Sequence, residues 1–418
     1  MLKTLIKKEL LQQFHTQKFV ITSVLSIVLM LLAVHISTGK YEKKLVLFEE
    51  AVQGHQEKMR LLKDSSKGQS VNTHFTNIIF RRPTPLSIFC QGKEESFGDA
   101  AWVNGFFSRP IGQMDLLNDF DLQEVLNKTF GEIDVILIIK QLFSLMAIFL
   151  AFDLVTHERE QDTLKMIHSN QVSRFEVILA KWLTGSLILL IVLLLGFLLS
   201  LLYLNLILKI VFSGAELVRL FLLLVFSFLF LWVFFQTALL FSCIIRSSQL
   251  SLVGLFLIWI ISIFIVPNTA AIAGKYVSPT PPPDHLQIMQ EQTPKEQIRS
   301  VFNDFMNQLQ MQRQRIVLFS YLSPSAVFEF TAECLANTSV ADYNQFMEQV
   351  NIVREESNKI NQSIERIRLY FNSSNANNRL TLKNSVVQAI PFTGWLLMLN
   401  SLLFLFIIAY YNRRTQII

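Results

Sequence analysis

Cysteine is scarce in this sequence and never closely paired. Cys90, Cys243 and Cys334 stand apart with no CxxC spacing, which excludes a zinc ribbon and a thioredoxin-type redox site. Phosphate-binding loops are missing too. No GxxxxGK[ST] stretch exists, so the chain has no P-loop with which to hydrolyse ATP by itself. A GxSxG elbow for acyl transfer is equally absent. Histidine offers little more. His157-Glu158 looks like the start of a zinc-protease helix, but Gln161 holds the fifth position, where a second imidazole has to stand. His168 lies about three turns beyond His157. No catalytic residue, metal or cofactor is therefore expected in this chain. Charge is thin as well: 17% of residues are charged, against roughly 25% in soluble domains. No concentrated basic face suggests nucleic acid, and a net charge of +5 suits a protein lying against anionic lipid.

What fills the space is apolar sequence gathered into long runs. About 20 helical residues cross the roughly 30 Å hydrocarbon layer, and six runs are long enough: roughly 19–37, 134–155, 177–207, 217–245, 250–272 and 389–411. Backbone groups in lipid must pair internally, so each run is expected to be a helix. The fold class is an all-α polytopic membrane protein. No small-residue cleavage site follows the first run, which reads as a retained span. The third run is long enough to tilt, or to begin as an interfacial segment around Lys181, whose stem can snorkel to the headgroups.

Lys and Arg near the span ends set the orientation. Lys3, Lys7, Lys8 and Lys18 precede the first span. Arg159, Lys165, Arg174 and Lys181 lie between the second and third, Arg246 between the fourth and fifth, and Arg413 and Arg414 after the sixth. An even number of spans puts all of them on one side, expected to be the cytoplasm, with both termini and the tail 412–418. Residues 1–18 repeat apolar positions at helical spacing (Leu2, Leu5, Ile6, Leu10, Phe14) with lysines opposite. That pattern suits an interfacial amphipathic helix, or a cytoplasmic extension of the first span.

Two long loops, 38–133 and 273–388, face outward in this topology. The first opens with a helical pattern, YEKKLVLFEEAVQGHQEKMRLLKD. The second has a proline linker, SPTPPPDH, then a helix start with Thr293 as cap, Pro294 at the first position and Glu296 closing a capping box. Another helix is expected from Ala341 to Phe371. Neither loop alternates like a strand for long, so a mostly helical extracytoplasmic domain built from both is predicted. Cys90 and Cys334 fall one in each loop and are candidates for a disulfide between them; two buried thiols are the competing reading. Within the spans, Lys140 and Asp153 are too few charges for a proton or ion path, and Lys140 is read as snorkelling or facing the outer domain.

The segment 156–176 is the densest mixed-charge stretch between two apolar runs. It resembles the segment between the second and third spans of ABC-2-type exporter permeases, where E-x-E-x-G-T-L is followed by a P-V-S-R-like turn and then a Lys just inside the next span. Glu158, Glu160, Thr163 and Leu164 match the first part, Val172, Ser173 and Arg174 the turn, and Lys181 the lysine. Asp162 stands where Gly is usual and Gln171 where Pro is common. The outer segments RRPTPLSIFCQG and YLSPSAVFEFTAECLANTSVADYNQF resemble a bacterial branch of that family with an enlarged extracytoplasmic domain.

The resemblance implies a permease subunit in a bacterial inner membrane, paired with an identical or paralogous second subunit and two copies of a separate ATPase that holds the ATP and Mg. Glu158, Arg159 and Glu160 are then expected to offer charge to the ATPase, where rim pairs set register, and Leu164, Met166 and Ile167 an apolar anchor. The plainer reading is a solvated loop that only enforces topology. Function divides between export of an amphiphilic or lipid-linked substrate and a mechanotransmission device that moves its outer domain against an envelope partner. A ligand-binding receptor is a third reading, without a recognisable signalling domain to support it.

Overall fold

The computed structural model describes residues 2–65, 77–92, 100–103, 108–111, 133–163, 173–277, 308, 311, 314–359 and 381–414. Among the described residues six helices are long and apolar enough to cross a membrane: Gln17–Glu57, Val135–Glu160, Arg174–Leu206, Gly214–Ile244, Ser248–Ala270 and Leu382–Tyr411. They are spans one to six below. An N-terminal helix, Leu2–Phe14, packs along span three. The protein is mostly helical and multi-pass, as its apolar runs require.

Spans two, three and four form the centre, where Phe143, Met146, Leu189, Phe197, Phe230 and Phe235 are buried. Spans five and six are the least enclosed. Spans three and four approach closely at Gly185, where an added Cβ would lie 2.2 Å from the Phe235 ring. Only glycine leaves room there for an aromatic on the neighbouring helix.

Three features depart from the sequence reading. First, the expected span 19–37 and the helical pattern that follows it are one helix, unbroken over Gln17–Ser65, 49 residues. At 1.5 Å per residue it is about 73 Å long, more than twice the roughly 30 Å core. The apolar and outer helical patterns lie end to end with no proline between them, and the helix runs on through Gly39. Its far part carries ring contacts from Phe48 and His55 to Phe80, with centroids 6.4 and 5.9 Å apart.

Second, a small antiparallel sheet stands beside the far part of that helix, with β1 (Asn77–Phe80), β2 (Ala100–Val103) and β3 (Ser108–Ile111) in the order β1-β2-β3. Ile78 pairs with Trp102, and Trp102 with Arg109. Four-residue strands complete too few alternations to show a period. Helix Val340–Lys359 packs on the sheet through Tyr343, Phe346 and Val350 against Ile79 and Ala101. The expected helix start at Thr293, Pro294 and Glu296, and the end at Phe371, lie outside the described residues.

Third, helix Pro324–Ala336, assigned by sequence to the outer loop, is built into the membrane bundle. Phe328 stacks on Phe230 of span four with centroids 4.5 Å apart, and Val327 packs against Val233 and Leu396. Val233 lies about 17 Å along the helix from Ile244, within the ~30 Å that span four must cross. This helix therefore packs within the bundle, and a turn at residues 321–323 leads into it. Its turn satisfies its own backbone, as a turn at membrane depth must: Tyr321, Leu322 and Ser323 donate to the carbonyls of Leu318, Phe319 and Ser320.

The two outer segments meet at a buried ion pair, Arg81 with Asp342. No disulfide joins them. Cys90 and Cys334 are buried thiols, the second of the two readings rather than the candidate bridge. Burial, with Asp134 nearby, pushes the Cys90 thiol well above its ordinary range, so the reactive thiolate is disfavoured.

Candidate functional site

The charged stretch after span two forms a short helix, Thr156–Glu160, at the end of the bundle that also holds the N-terminal helix. Its start is fixed by one hydroxyl. Ser242 Oγ of span four accepts from the backbone N–H groups of Val155 and Thr156 at 2.9 and 3.1 Å. These are donors that a helix N-terminus leaves without intrahelical partners.

Consecutive helical residues point about 100° apart, so three in a row reach three different neighbours. Glu158 is buried and turned inward, its Oε1 2.9 Å from Lys181 Nζ of span three and 3.6 Å from Lys8 Nζ. Lys181 is buried as well and also meets Glu9 Oε1 of the N-terminal helix at 3.1 Å. The buried Lys181 thus faces two buried carboxylates, and the half-exposed Lys8 at the edge balances the remaining negative charge, which offsets part of the cost of burying them. Arg159 donates from Nη1 to the Ile245 carbonyl and from Nη2 to the Cys243 carbonyl, both at 3.1 Å. Those carbonyls lie at the C-terminal end of span four, where a cation is favourable. Glu160 accepts from Ser248 N at 2.8 Å and Ser248 Oγ at 2.9 Å, placing a carboxylate at the N-terminus of span five. Three adjacent side chains thus clamp this helix to the N-terminal helix and spans three, four and five.

The expectation that these residues offer their charge outward is corrected for Glu158, which is buried with its Oε1 facing Lys181 and Lys8. Among the described residues of the segment, His157, Glu160, Gln161, Asp162, Ser173 and Phe175 are exposed. Asp162 adopts the left-handed backbone at φ 55°, which accounts for glycine being usual there: Asp is among the few other residues that visit this region readily. Thr163 Oγ1 then donates to the Glu158 carbonyl at 3.2 Å, closing the helix end. Ser173 caps span three in a capping box with Glu176, and Arg174 is the first residue of that helix. Leu164, Met166, Ile167, Gln171 and Val172 lie outside the described residues.

Sequence reasoning missed Lys8, Glu9, Ser242 and Ser248. Glu9 carried a signal: it falls three and four residues after Ile6 and Leu5, inside the apolar face of the N-terminal helix. A carboxylate there needs a buried cation. The serines carried none. Lys140 pairs with helix Pro324–Ala336, its Nζ 2.8 Å from Glu329 Oε2. Among the described residues no group of His, Cys, Asp and Glu is placed to hold a metal ion.

The geometry describes a membrane bundle with a gripped, charged helix between spans two and three. Comparison with known families adds one match, to the family described as ABC-2 family transporter protein, over residues 3–413. No curated protein matches. With that match covering nearly the whole chain, the protein belongs to the ABC-2 family of transporter proteins.

Proposed function

We propose that this chain is the permease of an ATP-driven exporter whose ATPase is a separate subunit docking on the exposed face of helix Thr156–Glu160. The clamp by Glu158, Arg159 and Glu160 carries this reading. A force on His157, Gln161 or Asp162 reaches four other elements through buried or backbone-directed contacts, whereas a loop serving only topology needs none of them. The basic end then lies in the cytoplasm, with two permease subunits and two ATPases, each holding ATP and Mg, to a complex. Membrane-buried walls rich in Phe and Leu suit an amphiphilic or lipid-linked substrate.

Mechanotransmission is the second reading, favoured by the unbroken helix Gln17–Ser65 and by Pro324–Ala336, which ties the bundle to the sheet domain. Reconstitution of the complex in proteoliposomes separates the two. ATP-dependent movement of fluorescent lipid between leaflets supports export; hydrolysis that alters the domain without moving lipid supports the rival.

A further inference from the structure

Spans two and five each contain a π turn, Ile139–Phe143 and Ile261–Ile265. Such turns interrupt the regular hydrogen-bond ladder, and helices bend there readily. One helix touches both. Ser323 Oγ and Ser325 Oγ, at the start of Pro324–Ala336, donate to the Ser262 carbonyl in the span-five turn at 2.7 and 2.9 Å. One turn along, Glu329 accepts from Lys140 in the span-two turn at 2.8 Å. The spans are also joined to each other, Trp259 Nε1 donating to Ser144 Oγ at 2.8 Å.

The other end of the same helix is anchored in the outer domain. Asn337, left-handed at φ 58°, ends it. Its carbonyl accepts from Arg81 Nη2 at 3.2 Å, and Arg81 pairs with Asp342. Asn337 Oδ1 accepts from Ser385 Oγ at 3.0 Å. A rigid rod of 13 residues thus spans from two bendable points in the bundle to the buried junction of the sheet domain.

We infer that Pro324–Ala336 is the transmission rod of this protein: displacement of helix Thr156–Glu160 travels up span two to its π turn and passes through Lys140–Glu329 into the outer domain. The inference rests on the docking reading, because the motion starts where the ATPase binds. It assigns to Lys140 a positioning role in place of ion conduction.

Hydrogen exchange on the complex purified from its native membrane, with and without a non-hydrolysable ATP analogue, tests it. In the wild type, nucleotide is expected to change exchange in peptides covering both 156–163 and 324–336. Glu329→Gln should keep the change at 156–163 and abolish it at 324–336. The exchanged pair Lys140→Glu with Glu329→Lys should restore it, which a merely structural loss would not. A change at 324–336 that survives Glu329→Gln overturns the inference. A wild-type response confined to 156–163 overturns it while sparing the docking reading, and no response at either place overturns both.

Discussion

Lys181 Nζ lies 2.9 Å from Glu158 Oε1 and 3.1 Å from Glu9 Oε1, with all three side chains buried. One ammonium from span three therefore holds together the N-terminal helix and the helix that follows span two. Removing it leaves two buried carboxylates facing each other with only Lys8 nearby. Lys181→Met should cost roughly 3–5 kcal/mol, the usual penalty for breaking a buried pair from one side. Thermal unfolding in detergent checks this. Lys181→Met combined with Glu158→Gln should lose much less than the sum of the single variants, because the two share one interaction.

Asp162 supplies a backbone test. At φ 55° a glycine is at ease and a β-branched residue is not. Asp162→Gly should leave stability within about 0.5 kcal/mol, whereas Asp162→Val should lose about 1–2 kcal/mol. Both are read by the same melts.

At the other end of the molecule, Arg81 and Asp342 are fully buried partners from different outer segments. Arg81→Met and Asp342→Asn should each release the sheet from helix Val340–Lys359, at a cost of about 3–5 kcal/mol. Limited proteolysis of membrane-embedded protein should then cut the outer segments faster while the bundle stays intact.

How much of this was legible beforehand differs by residue. The spans were, because an apolar run of membrane length has few other uses. The place of the charged helix was too, but not the direction of Glu158: a helix of five residues has no period from which to read a buried face. The packing of Pro324–Ala336 on spans four and six was not legible, because 13 residues are too few for a span and its glutamates suggest water. Two of the residues that hold it in the bundle are Lys140 and Arg219, which donates to the Leu335 carbonyl at 3.4 Å. Neither is near it in sequence.

Asp134 gives a pH dependence. Its carboxylate caps span two, accepting from Leu137 N at 2.7 Å and Gln91 N at 3.1 Å. Burial pushes its pKa up to about 6, with Glu329 adding to the rise and Lys140 opposing it. A pKa raised on folding means that the folded state binds the proton more tightly. Asp134 thus contributes stability that is full below about pH 4 and lost as pH rises through about 6. About two pH units correspond to about 3 kcal/mol. The difference between wild type and Asp134→Asn, followed by unfolding from pH 4 to 7, should show that loss; a flat difference would remove Asp134 as its source.

The most direct test of the account is photocrosslinking from Gln161, an exposed position beside the clamp, in native membranes, followed by mass spectrometry of the product. The account predicts a crosslink from position 161 to an ATP-binding-cassette ATPase, and none from a control probe at Leu257 on the exposed face of span five. A correctly inserted protein that forms no such crosslink at position 161 would contradict the docking role of this helix.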